Sequence, residues 1–160
     1  MVIGYRSKMV SRRILPQAVP ALVGKRTFHY QQRRCHQKDE VAMISKDELH
    51  EFEHSIFTGI TVGIGSMILL FSSSTRVLIQ CPFLCGRNER SHLGHGENIE
   101  TSNLLFPLLN HEVKNCSLLG NKRLNLCFDD GSYICITPEN NGLESYVITT
   151  SQGDYPIITY

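Results

Sequence analysis

The chain has 160 residues, a net charge of +1, 41% hydrophobic residues and 19% charged residues. This length and ordinary composition exclude a chain of several large domains and fit one soluble domain with its own core. The small net charge hides an asymmetry, because residues 1–42 carry nine Lys or Arg and two acids, whereas the rest carries seven basic and thirteen acidic residues. The change from +7 to −6 predicts a boundary near Met43, between a basic tail (residues 1–42) and one acidic β-rich domain (residues 43–160).

The tail has the Arg-rich, acid-poor composition of a mitochondrial presequence, but we favour a disordered tail or an upstream extension with Met43 as the true start. Its basic residues support only non-specific, salt-sensitive contact with nucleic acid, so no specific nucleic-acid partner is expected. No apolar segment follows the first basic residues, so we predict no secretory signal, a cytoplasmic location and reduced thiols. We expect the tail to be dispensable for folding.

The first element of the domain is predicted to be a short helix. Ser45 and Glu48 have the Ser-x-x-Glu spacing of a capping box, with acids in the first turn. Apolar residues follow at near-helical spacing, which predicts a helix over residues 46–56.

Residues 56–71 are apolar and uncharged, so a membrane helix must be weighed against strands. The stretch is shorter than the 18–20 residues of a typical span and contains several glycines. Four polar residues and a second strand (residues 77–81) follow, which favours strands and no membrane partner. The pattern of strand, Phe71, polar link, strand and Pro82 recurs around Phe128 and Pro138, which suggests a duplicated hairpin.

The most informative stretch is residues 124–136, where Asp130-Gly131 lies between alternating hydrophobic residues and predicts a β-hairpin. A three-residue loop, residues 129–131, sets Leu126 opposite Ile134 and gathers one apolar face. In that register Gly131 takes a left-handed conformation, and the two aspartates are explained as turn residues rather than as a metal or acid–base pair.

The remaining elements are predicted from composition and periodicity. In chain order they are a long polar loop over residues 85–100, a helical turn from Thr101 that ends near Phe106 because of Pro107, a strand over residues 113–118, a loop over residues 138–142, and a last hairpin of residues 146–150 and 155–159 with Pro156 on an edge strand.

Six cysteines could form disulfides, but their positions argue against it. Cys127 and Cys135 lie on the two arms of the main hairpin, and in the preferred register they are diagonal, too far apart for comfortable bridging. Cys35 belongs to the tail.

The best metal candidate combines two thiols and two imidazoles, which can form a tetrahedral zinc site. Its residues are Cys81, Cys85, His92 and His95. The two histidines are closer together than in a zinc finger, so we favour the interpretation that Cys81 ends a core strand while His92 and His95 lie on a solvated loop. No cofactor other than zinc is indicated, and no catalytic residues can be assigned.

The C-terminal half carries three motifs in order: Leu-Leu-Phe-x-Leu-Leu with Val113 four residues after it, Leu-x-Leu-x-Phe-x-Asp-Gly ending at Gly131, and Glu144-Ser-Tyr-Val-Ile. In this pattern the chain resembles a group of small bacterial domains of unknown function, over residues 45–158. Some members look like immunity proteins encoded beside toxins. The chain has Tyr146 where that group commonly has Trp, and the group supplies no catalytic residues.

We therefore expect an α+β, mainly antiparallel β fold, with two or three β-hairpins in a sheet and a short N-terminal helix. The expected function is non-enzymatic protein binding, with an immunity protein that neutralises a basic toxin domain as the example the resemblance implies. The alternatives are a small zinc-binding domain and a membrane-associated protein. The predicted core is Phe52, Leu69, Phe71, Val77, Ile79, Leu105, Leu124, Leu126, Phe128, Ile134, Ile136 and Ile148.

Overall fold

The computed structural model describes residues 44–160, so the predictions made for residues 1–42, including Cys35, lie outside the described residues. The described chain forms two five-stranded antiparallel sheets, a short α-helix and one 3₁₀ helix. The elements are α1 Lys46–His50, β1 Phe57–Gly63, β2 Ser66–Phe71, β3 Arg76–Ile79, β4 Pro82–Arg87, β5 Arg90–His95, the 3₁₀ helix Ile99–Leu108, β6 Val113–Leu118, β7 Leu124–Phe128, β8 Ser132–Ile136, β9 Glu144–Thr150 and β10 Gly153–Ile158.

The predicted mainly antiparallel β class is confirmed, but the number of hairpins is larger than the two or three expected, and the strands form two sheets instead of one. Sheet 1 has the order β1-β2-β3-β9-β10, and sheet 2 has the order β5-β4-β8-β7-β6. The inner faces of both sheets contribute to one buried cluster, and Phe57 of sheet 1 lies 6.0 Å from Phe128 of sheet 2 between ring centroids.

The main hairpin has the predicted register. Leu126 lies opposite Ile134 and Leu124 lies opposite Ile136, with Gly131 at φ +82°. All twelve predicted core residues are buried. Residues that alternate along one strand reach the same face, so the apolar pattern alone specified which side of each strand is buried.

The pairing scheme repeats within the domain. Strands β1-β2-β3 of sheet 1 match β6-β7-β8 of sheet 2, and the hairpin that follows each triplet crosses to the other sheet. The β2–β3 and β7–β8 loops also match, because Ser74 and Gly131 both have positive φ, 70° and 82°, and both donate their backbone N–H to the carbonyl of a preceding phenylalanine. That the two hairpins arose by duplication stays a prediction.

The two sheets meet where the chain enters β1 and β6. Ile56 and Glu112 form an isolated antiparallel bridge, and Phe57 donates its N–H to His111 O at 2.9 Å. His54 and Asn110, which precede these two entry segments, both have positive φ, 63° and 66°. The same backbone geometry therefore begins both triplets.

The predicted N-terminal helix is present but shorter than expected. Ser45 and Glu48 form the capping box, and α1 ends at His50 rather than at residue 56. The helix cannot continue because His54 is left-handed and residues 55–57 extend to pair with the segment before β6. Tertiary pairing thus outweighed the helical spacing of the apolar residues.

The long loop predicted over residues 85–100 is wrong, because most of it forms the β4–β5 hairpin. Its glycines, which suggested a loop, are required by close packing. A Cβ on Gly94 would lie 2.2 Å from the ring of Phe83, and one on Gly96 would lie 2.2 Å from the carbonyl oxygen of Ile79. A glycine in a strand often marks such an approach.

Two smaller differences concern the apolar segments. Residues 56–71 form β1 and β2, and none of the helices among residues 44–160 has the length and apolar character needed to cross a membrane. The predicted helical turn extends through Pro107 to Leu108 as a 3₁₀ helix. The β6 strand has the predicted bounds. The last hairpin is present with longer pairing and a two-residue turn in place of the expected four-residue link, and Pro156 is on edge strand β10.

Candidate functional site

The four candidate zinc ligands lie on the β4–β5 hairpin and the residue before it. Cys85 is directly opposite His92, so their side chains share one face of sheet 2. Cys81 belongs to the same face, two alternations earlier in the chain, whereas His95 lies opposite Pro82 and faces the other way. The structure therefore brings Cys85 and His92 together and does not gather all four; zinc binding by this set stays a prediction.

The two thiols are buried and strongly protonated. Burial, and then the charge of Glu139, raises the pKa of Cys81 to about 12, and burial raises the pKa of Cys85 to about 11. Because the thiolate is the form that binds metal or attacks a substrate, neither sulfur is predisposed to either role near neutral pH.

A second polar cluster was not predicted as a cluster. Among the described residues, three potential metal ligands approach within 4.8 Å of one another at His111, Asp129 and Asp130. His111 Nδ1 lies 2.9 Å from Asp129 Oδ1, and its Nε2 lies 3.5 Å from Asp130 Oδ2. The aspartates form the β7–β8 turn, as expected, but the pairing of β6 with β7 is what brings His111 beside them.

Asp130 is already well supplied with donors. The Ser132 backbone N–H donates to Asp130 Oδ1 at 2.9 Å, the Ser132 hydroxyl donates to the same oxygen, and Arg87 lies 3.6 Å from Oδ2. Burial by itself would raise the pKa of Asp130, but the two hydrogen bonds from Ser132 and the charges of His111 and Arg87 outweigh it and lower the pKa. The carboxylate is thus ionised near neutral pH, with Oδ1 hydrogen-bonded to Ser132 and Oδ2 close to Arg87 and His111.

The cluster lies at the edge of a cavity of about 890 Å³ between the β4–β5 hairpin and the 3₁₀ helix. One wall is apolar and comes from the 3₁₀ helix; the other is polar and comes mainly from β4, β5 and the loops near them. The apolar wall is formed by Leu104, Pro107 and Leu108, and the polar wall includes Arg87, Arg90, His92, His111 and Asp130.

The matching position at the other end of the domain, between the β9–β10 hairpin and α1, is closed by hydrogen bonds. The hydroxyl of Tyr155 donates to the carboxylate of Glu48. Ser151 donates its N–H to Glu51 at 2.9 Å and its hydroxyl to the same carboxylate at 2.6 Å. We call this the closed end and the cavity side the open end.

The outer face of sheet 1 carries a continuous apolar row. Its members lie side by side on four adjacent strands and are all half-buried. They are Ile68, Leu78, Val147 and Pro156, and they line a shallow groove of about 420 Å³ with Arg76, Glu144 and Asp154 among the surrounding residues.

The corresponding row on the outer face of sheet 2 is less apolar at one end. Asn125, Cys135, Leu84 and Leu93 occupy the matching register positions, so an amide replaces the isoleucine of sheet 1. The two outer faces therefore provide a natural pair for comparing substitutions.

No protein family matches the sequence, and neither the curated proteins nor the solved structures contain a match.

Proposed function

We propose that the domain is a non-enzymatic protein-binding module and that the outer face of sheet 1 is its docking surface. The observation that carries the proposal is the half-buried row Ile68, Leu78, Val147 and Pro156. An apolar centre with charged residues around it is the common anatomy of a protein interface.

The charge of the domain favours a basic partner. Residues 43–160 carry seven basic and thirteen acidic side chains, and Glu144 and Asp154 lie beside the apolar row, against one cation, Arg76. Complementary charge accelerates encounter and disfavours acidic partners. A basic toxin domain neutralised by an immunity protein fits this requirement and is the partner we propose.

The non-enzymatic part of the proposal is supported by the state of the possible nucleophiles. Burial raises the pKa of Cys81, Cys85 and Cys116 to about 12, 11 and 12, so these thiols are protonated near neutral pH. A catalytic cysteine requires the opposite shift.

The test uses the products of the genes that neighbour this one, each co-expressed with the full chain. We expect one of them to be toxic alone and to be neutralised and co-purified with the wild-type protein. Leu78→Arg, which places a charge in the apolar row, should abolish neutralisation because a buried unpaired charge at an interface is costly.

The matched control is Cys135→Arg, which occupies the corresponding position on the outer face of sheet 2. This variant should neutralise like the wild type. Equal binding by Leu78→Arg would reject the sheet 1 surface, and the absence of a toxic, interacting neighbour would reject the immunity function.

A further inference from the structure

The open end of the domain places two arginines directly opposite each other, an arrangement that costs stability. Arg87 and Arg90 lie directly opposite each other at the end of β4 and β5, on the face that holds Cys85 and His92. Like charges opposite each other destabilise an antiparallel pair. Asp130 lies 3.6 Å from Arg87, but Arg90 forms no ion pair within residues 44–160.

The fold does not require this arrangement. At the closed end, Thr150 and Gly153 are the opposite pair that corresponds to the two arginines. Tyr155 lies opposite Ile148 there, in the position that corresponds to His92 opposite Cys85. The hydroxyl of Tyr155 donates a hydrogen bond to Glu48. The arginine pair is unfavourable for stability, and the matching position in the other half has no such pair. A destabilising arrangement that the fold does not need indicates a functional requirement.

We propose that the cavity at the open end binds a small organic anion. Its carboxylate or phosphate lies between Arg87, Arg90 and His92, where guanidinium groups provide paired donors for an oxyanion. The apolar part of the ligand lies on the wall formed by Leu104 and Leu108. The volume of about 890 Å³ is within the range of small-molecule sites.

Two donors that line the cavity are open to an anion. By comparison, Oδ1 of Asp130 accepts from Ser132 and Oδ1 of Asp129 is hydrogen-bonded to His111, so one oxygen of each aspartate is engaged. In contrast, neither the Arg90 guanidinium nor the His92 ring has a hydrogen-bond partner within the described chain. Arg90 and His92 are therefore open donors at the site, and Glu89, in the turn between the two arginines, is the acid of the lining besides Asp130. The proposal concerns a different surface from the docking face and stands independently of it.

The experiment is an NMR titration of the ¹⁵N-labelled full chain with octanoate, benzoate, inorganic phosphate and the neutral comparator benzamide. We expect octanoate or benzoate to shift the amides of residues 85–92 and 104–108 with a dissociation constant of about 1 mM or tighter. Benzamide should bind much more weakly. Phosphate that binds as tightly as the organic anions would overturn the role of the apolar wall.

Two variants and one control locate the site. Arg90→Gln combined with His92→Gln should weaken binding by about tenfold or more, because hydrogen bonds to charged groups are among the strongest. Leu104→Trp should block binding by filling the cavity. Arg76→Gln, an arginine on the outer face of sheet 1, should leave binding unchanged.

Melting curves verify that each variant is folded, and removal of Arg90 should not lower the melting temperature, since it relieves the arginine pair. The proposal is overturned if no organic anion binds below about 10 mM, or if the folded double variant binds like the wild type. It is also overturned if Mg²⁺ or Zn²⁺ binds at these residues and the anions do not.

Discussion

The open and closed ends of the domain have the same strand pairing and opposite surfaces. At each end a hairpin with a two-residue turn crosses from one half of the chain to the sheet begun by the other half. At the closed end, Glu48 and Tyr155 fill the space with a hydrogen bond, whereas Arg90 and His92 line a cavity at the open end. The backbone scheme is therefore insufficient to create the cavity, and the side chains of one half are responsible for it.

The β2–β3 and β7–β8 loops show a similar contrast on a smaller scale. Ser73 and Thr75 share a hydroxyl hydrogen bond of 2.8 Å in the first loop. Asp130 and Ser132 occupy the same positions in the second loop, so that one hydroxyl is replaced by a carboxylate. The two turns have the same geometry but differ in charge. The charged residue, Asp130 of the β7–β8 loop, lines the cavity.

The equivalence of the two halves can be tested most severely in the core. Leu69 and Leu126 occupy matching inner positions with no exposed surface. Leu69→Ala and Leu126→Ala should each lower the free energy of unfolding by about 2–5 kcal/mol, measured by urea denaturation. Asn125→Ala, on the opposite face, is the control and should cost much less. A large cost for only one leucine would show that the two halves are not energetically alike.

The two loops have different residues at the matching left-handed position, glycine in the β7–β8 loop and serine in the β2–β3 loop. Gly131→Val should lower the free energy of unfolding by more than about 1 kcal/mol, because a β-branched residue is poorly tolerated at φ +82°. Asp129→Asn keeps an oxygen for His111 and should have a mild effect. Chemical denaturation in which both variants are equally stable would contradict the turn geometry.

The matching substitution in the other loop should act in the reverse direction. Ser74 has φ +70°, a conformation that is costly for a residue with a side chain. Ser74→Gly should raise the free energy of unfolding by up to about 1 kcal/mol, although the more flexible unfolded chain offsets part of the gain. Loss of stability on this change would show that the Ser74 side chain contributes more than its backbone strain costs.

The charge difference between the loops predicts a small, pH-dependent effect. The pKa of Asp130 is lowered in the folded state, because the Ser132 hydrogen bonds outweigh burial, so its ionised form stabilises the fold above the ordinary value of 3.8. This contribution is lost as the pH falls through the folded-state pKa. Asp130→Asn should therefore cost under about 1 kcal/mol at pH 7 and progressively less below pH 3.8.

The control for this pH effect is Ser73→Ala, at the uncharged position of the first loop. Its stability difference from the wild type should not change between pH 7 and pH 3. Thermal denaturation across this range compares the two variants, and a cost for Asp130→Asn that grows at acid pH would contradict the assigned pKa direction.

Local patterns determined much of the fold from the sequence alone. The alternation around residues 124–136 specified both the register and the buried face, since a slip of one residue would expose the apolar side. The capping box of Ser45 and Glu48 located the start of α1, and Pro156 indicated an edge strand. These features depend on interactions between residues that are close in the chain, so they can be predicted from the sequence without a structure.

Tertiary structure decided what depends on distant residues. Gly94 suggested a loop, but the ring of Phe83 packs directly over it. The helix α1 was predicted too long because the pairing of Ile56 with Glu112 is not visible in the spacing of apolar residues. The cavity and the cluster of His111 with Asp130 arise because β4, β5, the 3₁₀ helix and the β7–β8 turn meet in space. Periodicity specifies which face of a strand is buried, whereas the partners across that face are specified only by how the two sheets pack.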